Sequence, residues 1–499
     1  MFKKSLKTLI LPALLLLCAV LFAGCILLGD ADDSRKEDDG DGTSHGMPNT
    51  DGNVGPRANT HDDPANGIYV SPTGNNATAT GTVDKPFKSI NTALAAAKPG
   101  DTIILRGGTY KEGRDVRVRK SHITIKSAKG EWAIIDLTTY NPGNEEHSGV
   151  EFYAEDETTS GIVTDCKLQS VEVKGGFYAV SCDTKWDWGQ PDRSGASNII
   201  IEDCILHDSR NDVVKIKPNC DNITIRYNEI YNSGQAHISH PDFLKGERNA
   251  EGIDNVNGDN MVVQNNYIHD ICSTGVYAKG GAIDALIENN RIERTYAAGI
   301  MVGFDTSPEF FDLTVNPEYY ENINGVVRNN LIIHTGWEGI GLYASKNAKV
   351  YNNTLVDVNY AQNYHSAIYF GISTQDEEPG AGRPASVNPN IHHNIVSQPA
   401  AFTKRPMIEI RYTNELGGVS ALSGNPTMNN NCYYIAGKSA TFTDMRPTTP
   451  LTNAGFDMWK THIGGDAGSI EDNPTLDPVT YVATNPLCDG MGIPLAMTP

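Results

Sequence analysis

Lys215 and Lys217 stand two residues apart in the run Val213-Val214-Lys215-Ile216-Lys217-Pro218. If Val214 and Ile216 enter a core, both lysines point outward on one face. Lys279 follows Asn266 at the same distance at which Lys217 follows Cys204, and Tyr277 precedes it by two. Between them lies Glu251-Gly252-Ile253-Asp254; with Ile253 inward, Asp254 joins the same outward face. The segment from His237 to Arg248, which also holds His240, overhangs it. Such a mixture suits proton abstraction from a carbon beside a carboxylate, as in β-elimination on a uronic-acid polysaccharide. The base must be neutral or poised at working pH, and crowded lysines lower each other's pKa. The sugar carboxylate must be neutralised, by Ca²⁺ or a cationic side chain. Lys217 and Lys279 are the candidate bases, and His240 or a tyrosine the candidate acid. His237 and Arg248 join them as candidate catalytic groups, and Lys215 and Tyr277 as substrate contacts. Asp254, with Glu251 beside it, is a candidate ligand or acid. The plainer reading makes the lysines a solvated face and the histidines loop surface.

Those side chains need elements to hold them, and the elements are repeats. Ile200-Ile201-Glu202-Asp203-Cys204 opens a series of short apolar strands that end in Asn228, Asn266, Asn290, Asn330, Asn353 and Asn394. Successive ends are 24, 38, 24, 40, 23 and 41 residues apart. The short intervals suit one coil; the long ones suit a coil with an insertion. Second strands follow, such as Gly275–Lys279, Gly299–Gly303 and Gly339–Tyr343. Strands this short cannot bury a face alone, and no helical pattern of ten residues separates them, so the coils must stack as a solenoid. Asn at each turn suits an internal amide ladder and a left-handed backbone. Residues 86–97 read as an amphipathic helix, and 99–110 as the first coil.

These features resemble the right-handed parallel β-helix of the pectate-lyase-like superfamily, in which a helix caps the open end of the stack. The resemblance implies an all-β fold with a short N-terminal capping helix; the β-helix is expected over residues 67–425, after which the repeat fades, with a loop-rich region, 426–499, packed on the last coils. The stretch from Asp212 to Asn228 looks like the catalytic coil of the chondroitinase B and alginate lyase family. That likeness puts Lys217 on the base and Asp212 on a calcium-binding acidic position. Arg210 stands where a second acidic residue would be, and the catalytic arginine has no counterpart; His237, His240 and Arg248 are offered instead. Asp254, Asp259 and Lys279 can be read in the manner of the calcium-dependent family 9 pectate lyases. A lyase, a C5-epimerase sharing its first step, and a non-catalytic glycan-binding or adhesive protein all remain open. Asp305, Glu309 and the loop 304–324 are read as a groove wall.

The ends and the composition bound the rest. Lys3, Lys4 and Lys7 precede an apolar run, Leu9 to Ala23, built like a signal peptide. Leu21-Phe22-Ala23-Gly24-Cys25 resembles a bacterial lipobox, which implies cleavage after residue 24 and a lipid anchor on Cys25 of an exported protein at the outer membrane or cell surface. Residues 25–66, with ten acidic and three basic residues, read as a disordered spacer. A net charge of −21 disfavours nucleic acid as partner and leaves an acidic polysaccharide and the membrane anchor as the partners of a monomer. Cys166 to Cys204 and Cys182 to Cys220 share a spacing of 38, which suggests stacking and a Cys182–Cys220 bridge; Cys432–Cys488 is a separate possibility.

Overall fold

The computed structural model describes residues 52–139, 147–153, 163–184, 195–235, 249–362, 365–373, 382–414, 417–448 and 450–499. Three sheets of twelve strands each run the length of a rod. Each coil contributes one strand to each of these three sheets, and all pairings within them are parallel until Leu451–Ala454, which closes one sheet antiparallel. The strands are mostly three to five residues long. Their inward residues, such as Val214, Ile216, Ile253, Val276 and Ile300, form one continuous core.

Stacking works because each turn satisfies the next. The Nδ2 of Asn266 donates to Asn290 Oδ1 at 3.0 Å, Asn290 to Asn330 at 3.0 Å, and Asn330 to Asn353 at 3.0 Å. The ladder runs from Asn228 to Asn431, every member fully buried. Cys204 occupies its first place, its backbone N–H donating to Asn228 Oδ1. The left-handed conformation falls on the residue before the ladder, Asn265, Asn289, Asn329 and Asn352 among them. Paired asparagines therefore divide the work: the first turns the chain and the second bonds coil to coil.

Both ends are sealed. Helix Ile90–Ala96 buries Ile90, Ala93 and Leu94 over the first coils. Ser89 caps its start, and Glu112 accepts from Ile90 N–H at 2.7 Å. Lys120 Nζ donates to the carbonyls of Leu94, Ala95 and Ala97 at its other end. A carboxylate and an ammonium thus sit where the helix dipole favours each. At the far end, helix Phe456–Ile463 buries Trp459 against Phe442.

Three expectations change. The rod continues past residue 425, through Thr427–Asn429, Cys432–Ile435 and Phe442–Asp444. Residues 52–66 are not a solvated spacer but a strap along the rod. Val54 packs with Leu331 and Ile493, Arg57 grips the buried Asp203 with three hydrogen bonds, two of them from its guanidinium, and Lys126 Nζ donates to Asp63 at 2.6 Å. Charge density argued for solvation, but the strap's Asp63 has a cationic partner on the coils, and its Arg57 an acidic one. Cys182 and Cys220 are free buried thiols, Cys220 Sγ donating to Cys182 O at 3.3 Å. Cys182 pairs in register with Ile216, so the shared spacing of 38 is not a coil period. The signal segment and Cys25 lie outside the described residues.

Candidate functional site

The sheet containing Val180–Cys182, Val214–Ile216, Ile253–Val256 and Val276–Lys279 carries the ionisable face. Its register places Ser181, Lys215, Asp254 and Tyr277 in one outward column. Ile216 pairs with Asn255, and Val256 with Lys279. Lys217 therefore follows beside Val256, in the column of Lys279 and two rungs from it. Both lysines, with Lys215, Asp254, Tyr178 and Asn211, line a cavity of about 510 Å³. Its opposite wall is Asp305, Thr306, Ser307 and Phe310; Glu309 does not line it.

Each lysine meets a carboxylate. Lys217 Nζ lies 2.6 Å from Asp183, one rung back. Lys215 Nζ is bonded to Asp254 and stands 3.2 Å from Asp212. Lys279 Nζ is 3.4 Å from the other oxygen of Asp254 and 4.3 Å over the Tyr277 ring. Positive and negative charges alternate along the face. Burial alone would lower Lys215, but Asp212 and Asp254 outweigh it and hold it well above the usual lysine range. The mutual lowering expected of neighbouring lysines is thus replaced by ion pairing, and Lys215 is an anchored ammonium rather than a mobile substrate contact. Asp254 is fully buried, which favours its neutral form, yet Lys215 and Lys279 hold it below the usual carboxylate range.

Behind Asp254 lie two more carboxylates. Glu251 accepts from Ser273 Oγ at 2.9 Å, while among the described residues no donor reaches its Oε2. Burial, then Asp212, pushes it well above the usual range, which favours its neutral form. Oxygens of Asp212, Glu251 and Asp254 lie within 4.8 Å of one another, so the three acidic residues singled out in the sequence do meet. Their donor chemistry suits Ca²⁺. The ammonium of Lys215, however, takes the cation's place against Asp212 and Asp254, and neither Asp212 nor Glu251 lines the cavity. With Lys215 there, the cluster does not fit a calcium ion that touches a bound sugar.

Tyr277 also departs from expectation. It is 3% exposed, stacks on Phe304 and receives Thr274 Oγ1 at 3.2 Å, so it supports the face from below instead of meeting a ligand. Asp259 bonds Ile283 N–H in a turn and stays away from the cavity. His237, His240 and Arg248 lie outside the described residues. The residues missed in the sequence are Asp183 and Tyr178, whose signal was the 34-residue register between Val180 and Val214, and the clamp behind the wall. In that clamp Arg383 Nε bonds Glu321 at 2.9 Å, both residues fully buried at their side chains, between the rings of Tyr319 and Phe311. Glu321 also accepts from Gly280 N–H at 2.9 Å, next to Lys279, and from Thr306 N–H at 3.1 Å in the wall.

Residues 68–254 match the family model for a Pel9A-like right-handed β-helix region, and residues 251–444 match that for a right-handed β-helix region. The chain is a right-handed parallel β-helix. Together the two matched regions span the rod described above, and the parallel sheets agree with the pectate-lyase-like superfamily. Over 74 residues, 14% of the chain, the β-helix is 42% identical to pectate lyase PEL9 of Emericella nidulans, a match spanning 18% of that relative's length. The solved structure of pectate lyase Pel9A is 16% identical, with a TM-score of 0.43 over 68% of this chain and 77% of that one. PfbA, a surface adhesin of Streptococcus pneumoniae, is 11% identical, with a TM-score of 0.46 over 71% and 84%.

Proposed function

We propose that this β-helix cleaves an acidic, uronate-containing polysaccharide by β-elimination. The reading rests on one observation: Lys217 and Lys279 open onto a single cavity, which Asp254, paired to Lys279, also lines. Lys217, tightly paired to Asp183, is the fixed charge that meets the sugar carboxylate. Lys279 shares its carboxylate with Lys215 at a longer distance; in its neutral amine form it is the base that takes the C5 proton, which it afterwards gives up to solvent. The electron pair left behind forms the C4–C5 double bond as the C4–oxygen bond breaks. Tyr178, whose ring lies 5.8 Å from the Nζ of both Lys215 and Lys217, protonates the departing oxygen in this scheme. Lys215 takes the part of a metal cation, so calcium is not required in this scheme. An epimerase would return the proton to the other face of the sugar, so the products separate the two.

Pectate, alginate and chondroitin sulfate, followed by ultraviolet absorbance of the unsaturated product, test the reading. Turnover on one of them is expected, with Lys279→Ala slowing it by about 10²–10⁴-fold, the usual worth of a general base. Silence on all three sinks the lyase. A second reading, binding without turnover, is favoured by the charge alternation, which suits holding ammonium groups rather than freeing an amine. It expects retained glycan binding and no product. In either case we read the chain as an exported monomer held by a lipid on Cys25; metabolic labelling with a fatty acid, lost in Cys25→Ser, checks the anchor.

A further inference from the structure

Four rungs beyond Asp254 in the same column lies a second ionisable group that uses none of the cavity residues. The register runs Asp254, Tyr277, Met301, Gly341, Tyr369, about 19 Å along the rod at the usual strand spacing. Gly341 leaves room there: a Cβ would stand 2.6 Å from Glu338 Oε1 and 2.8 Å from the Tyr343 ring. Glu338 is fully buried, and its Oε1 accepts the Tyr343 hydroxyl at 2.7 Å. Its Oε2 lies 2.6 Å from His365 Nδ1, an ion-pair contact whose alignment falls short of a good hydrogen bond. Catalytic contacts are often loose in this way until a ligand arrives. His365 stacks on Trp337, with centroids 4.5 Å apart and planes at 9°, and the Tyr369 ring stands 4.9 Å away. Tyr369 pairs in register with Glu409, which Arg405 and Arg411 both contact. Arg405 Nε also donates to the His365 carbonyl at 2.7 Å. The side chains of His365 and Arg411 are 15% and 28% exposed, while Glu338 is sealed beneath them.

A buried carboxylate against Nδ1 keeps the proton on that nitrogen and leaves Nε2 to accept one. The guanidinium of Arg411 presents a fork that matches a carboxylate. We propose that Glu338, His365, Tyr369 and Arg411 form a second proton-transfer site for a carboxylate-bearing sugar, independent of the lysine cavity. Arg411 binds the carboxylate and His365 Nε2 takes the C5 proton. The electron pair becomes the C4–C5 double bond, the C4–oxygen bond breaks, and the Tyr369 hydroxyl protonates the departing oxygen. The proton on His365 then returns through solvent to the Tyr369 phenolate, restoring both groups. The substrate class rests on the reading above; the residues do not.

The test uses the full chain and oligomers of galacturonate and mannuronate. The double variant Lys217→Ala/Lys279→Ala should keep forming unsaturated product, and adding His365→Gln should lower that residual rate at least about 100-fold. Arg411→Ala should weaken oligomer binding to the double variant about tenfold, with Arg411→Lys restoring part of it. An active wild type whose double variant is silent overturns the proposal, as does an unchanged residual rate in the triple variant. If the wild type forms no product, the lyase reading falls separately. The site is then judged by the His365 imidazole resonances: a shift on adding oligomer that disappears in Arg411→Ala supports a sugar-carboxylate site, and no shift overturns it.

Discussion

Asp254 is fully buried between the side chains of Lys215 and Lys279, and this makes it the most demanding residue on the face. Removing one partner of a buried pair costs about 3–5 kcal/mol, because the other charge is left uncompensated. Asp254→Asn is therefore expected to lower stability by that amount in urea unfolding. Glu251→Gln should cost much less than Asp254→Asn, since burial and Asp212 already favour the neutral form of Glu251. Equal losses in the two variants would show that Glu251 carries charge. One rung below Asp183, burial and then Asp183 push Glu151 up to about 8, with Arg117 opposing. Its folded value lies above the ordinary one, so the folded state binds the extra proton between them. The stability it adds at low pH is lost as pH rises from the ordinary carboxyl value through about 8. Thermal unfolding across that window should show the wild type losing stability relative to Glu151→Gln. The outward placement of Lys217, Lys279 and Asp254 was legible from alternation alone. Which carboxylate each lysine meets was not, because Asp183 and Lys217 are 34 residues apart and become neighbours only through the register.

The strands that present these residues are ordinary; the elements that shape the cavity are the irregular ones. The wall at Asp305–Phe310 has no strand of its own and is fastened by Glu321 and Arg383. Arg383→Met keeps the length and apolar contact of the side chain but removes the charge that ties Thr306 and Gly280 to one point. If the wall positions the sugar, this variant should raise KM several-fold with a smaller change in kcat, and Arg383→Lys should recover part of the loss. Equal falls in kcat and activity per folded molecule, with KM unchanged, would make the clamp merely structural. The loop's part as a wall was readable from its place after a strand of the repeat. Its fastening was not, because no local pattern ties Arg383 to Glu321 across 62 residues.

At the scale of the whole rod, charge is managed by pairing. The strap at 52–66 sets Arg57 on Asp203 and Asp63 on Lys126, and the outer face interleaves lysines with carboxylates. A molecule whose acidic cluster already holds Lys215 should be indifferent to chelators. EDTA dialysis is expected to leave its melting temperature unchanged, and a fall restored by Ca²⁺ would show that an ion displaces the ammonium. The recurring Asn and the alternating apolar residues by themselves determined the stacked coils, the capped end and the outward face, because period-two burial and a repeated turn are local properties of the chain. The tertiary structure alone decided that Tyr277 is buried, that Cys182 and Cys220 are out of step, and that Lys215 sits where a metal was expected. Insertions change the coil length from turn to turn, and only the finished register says which side chains become neighbours.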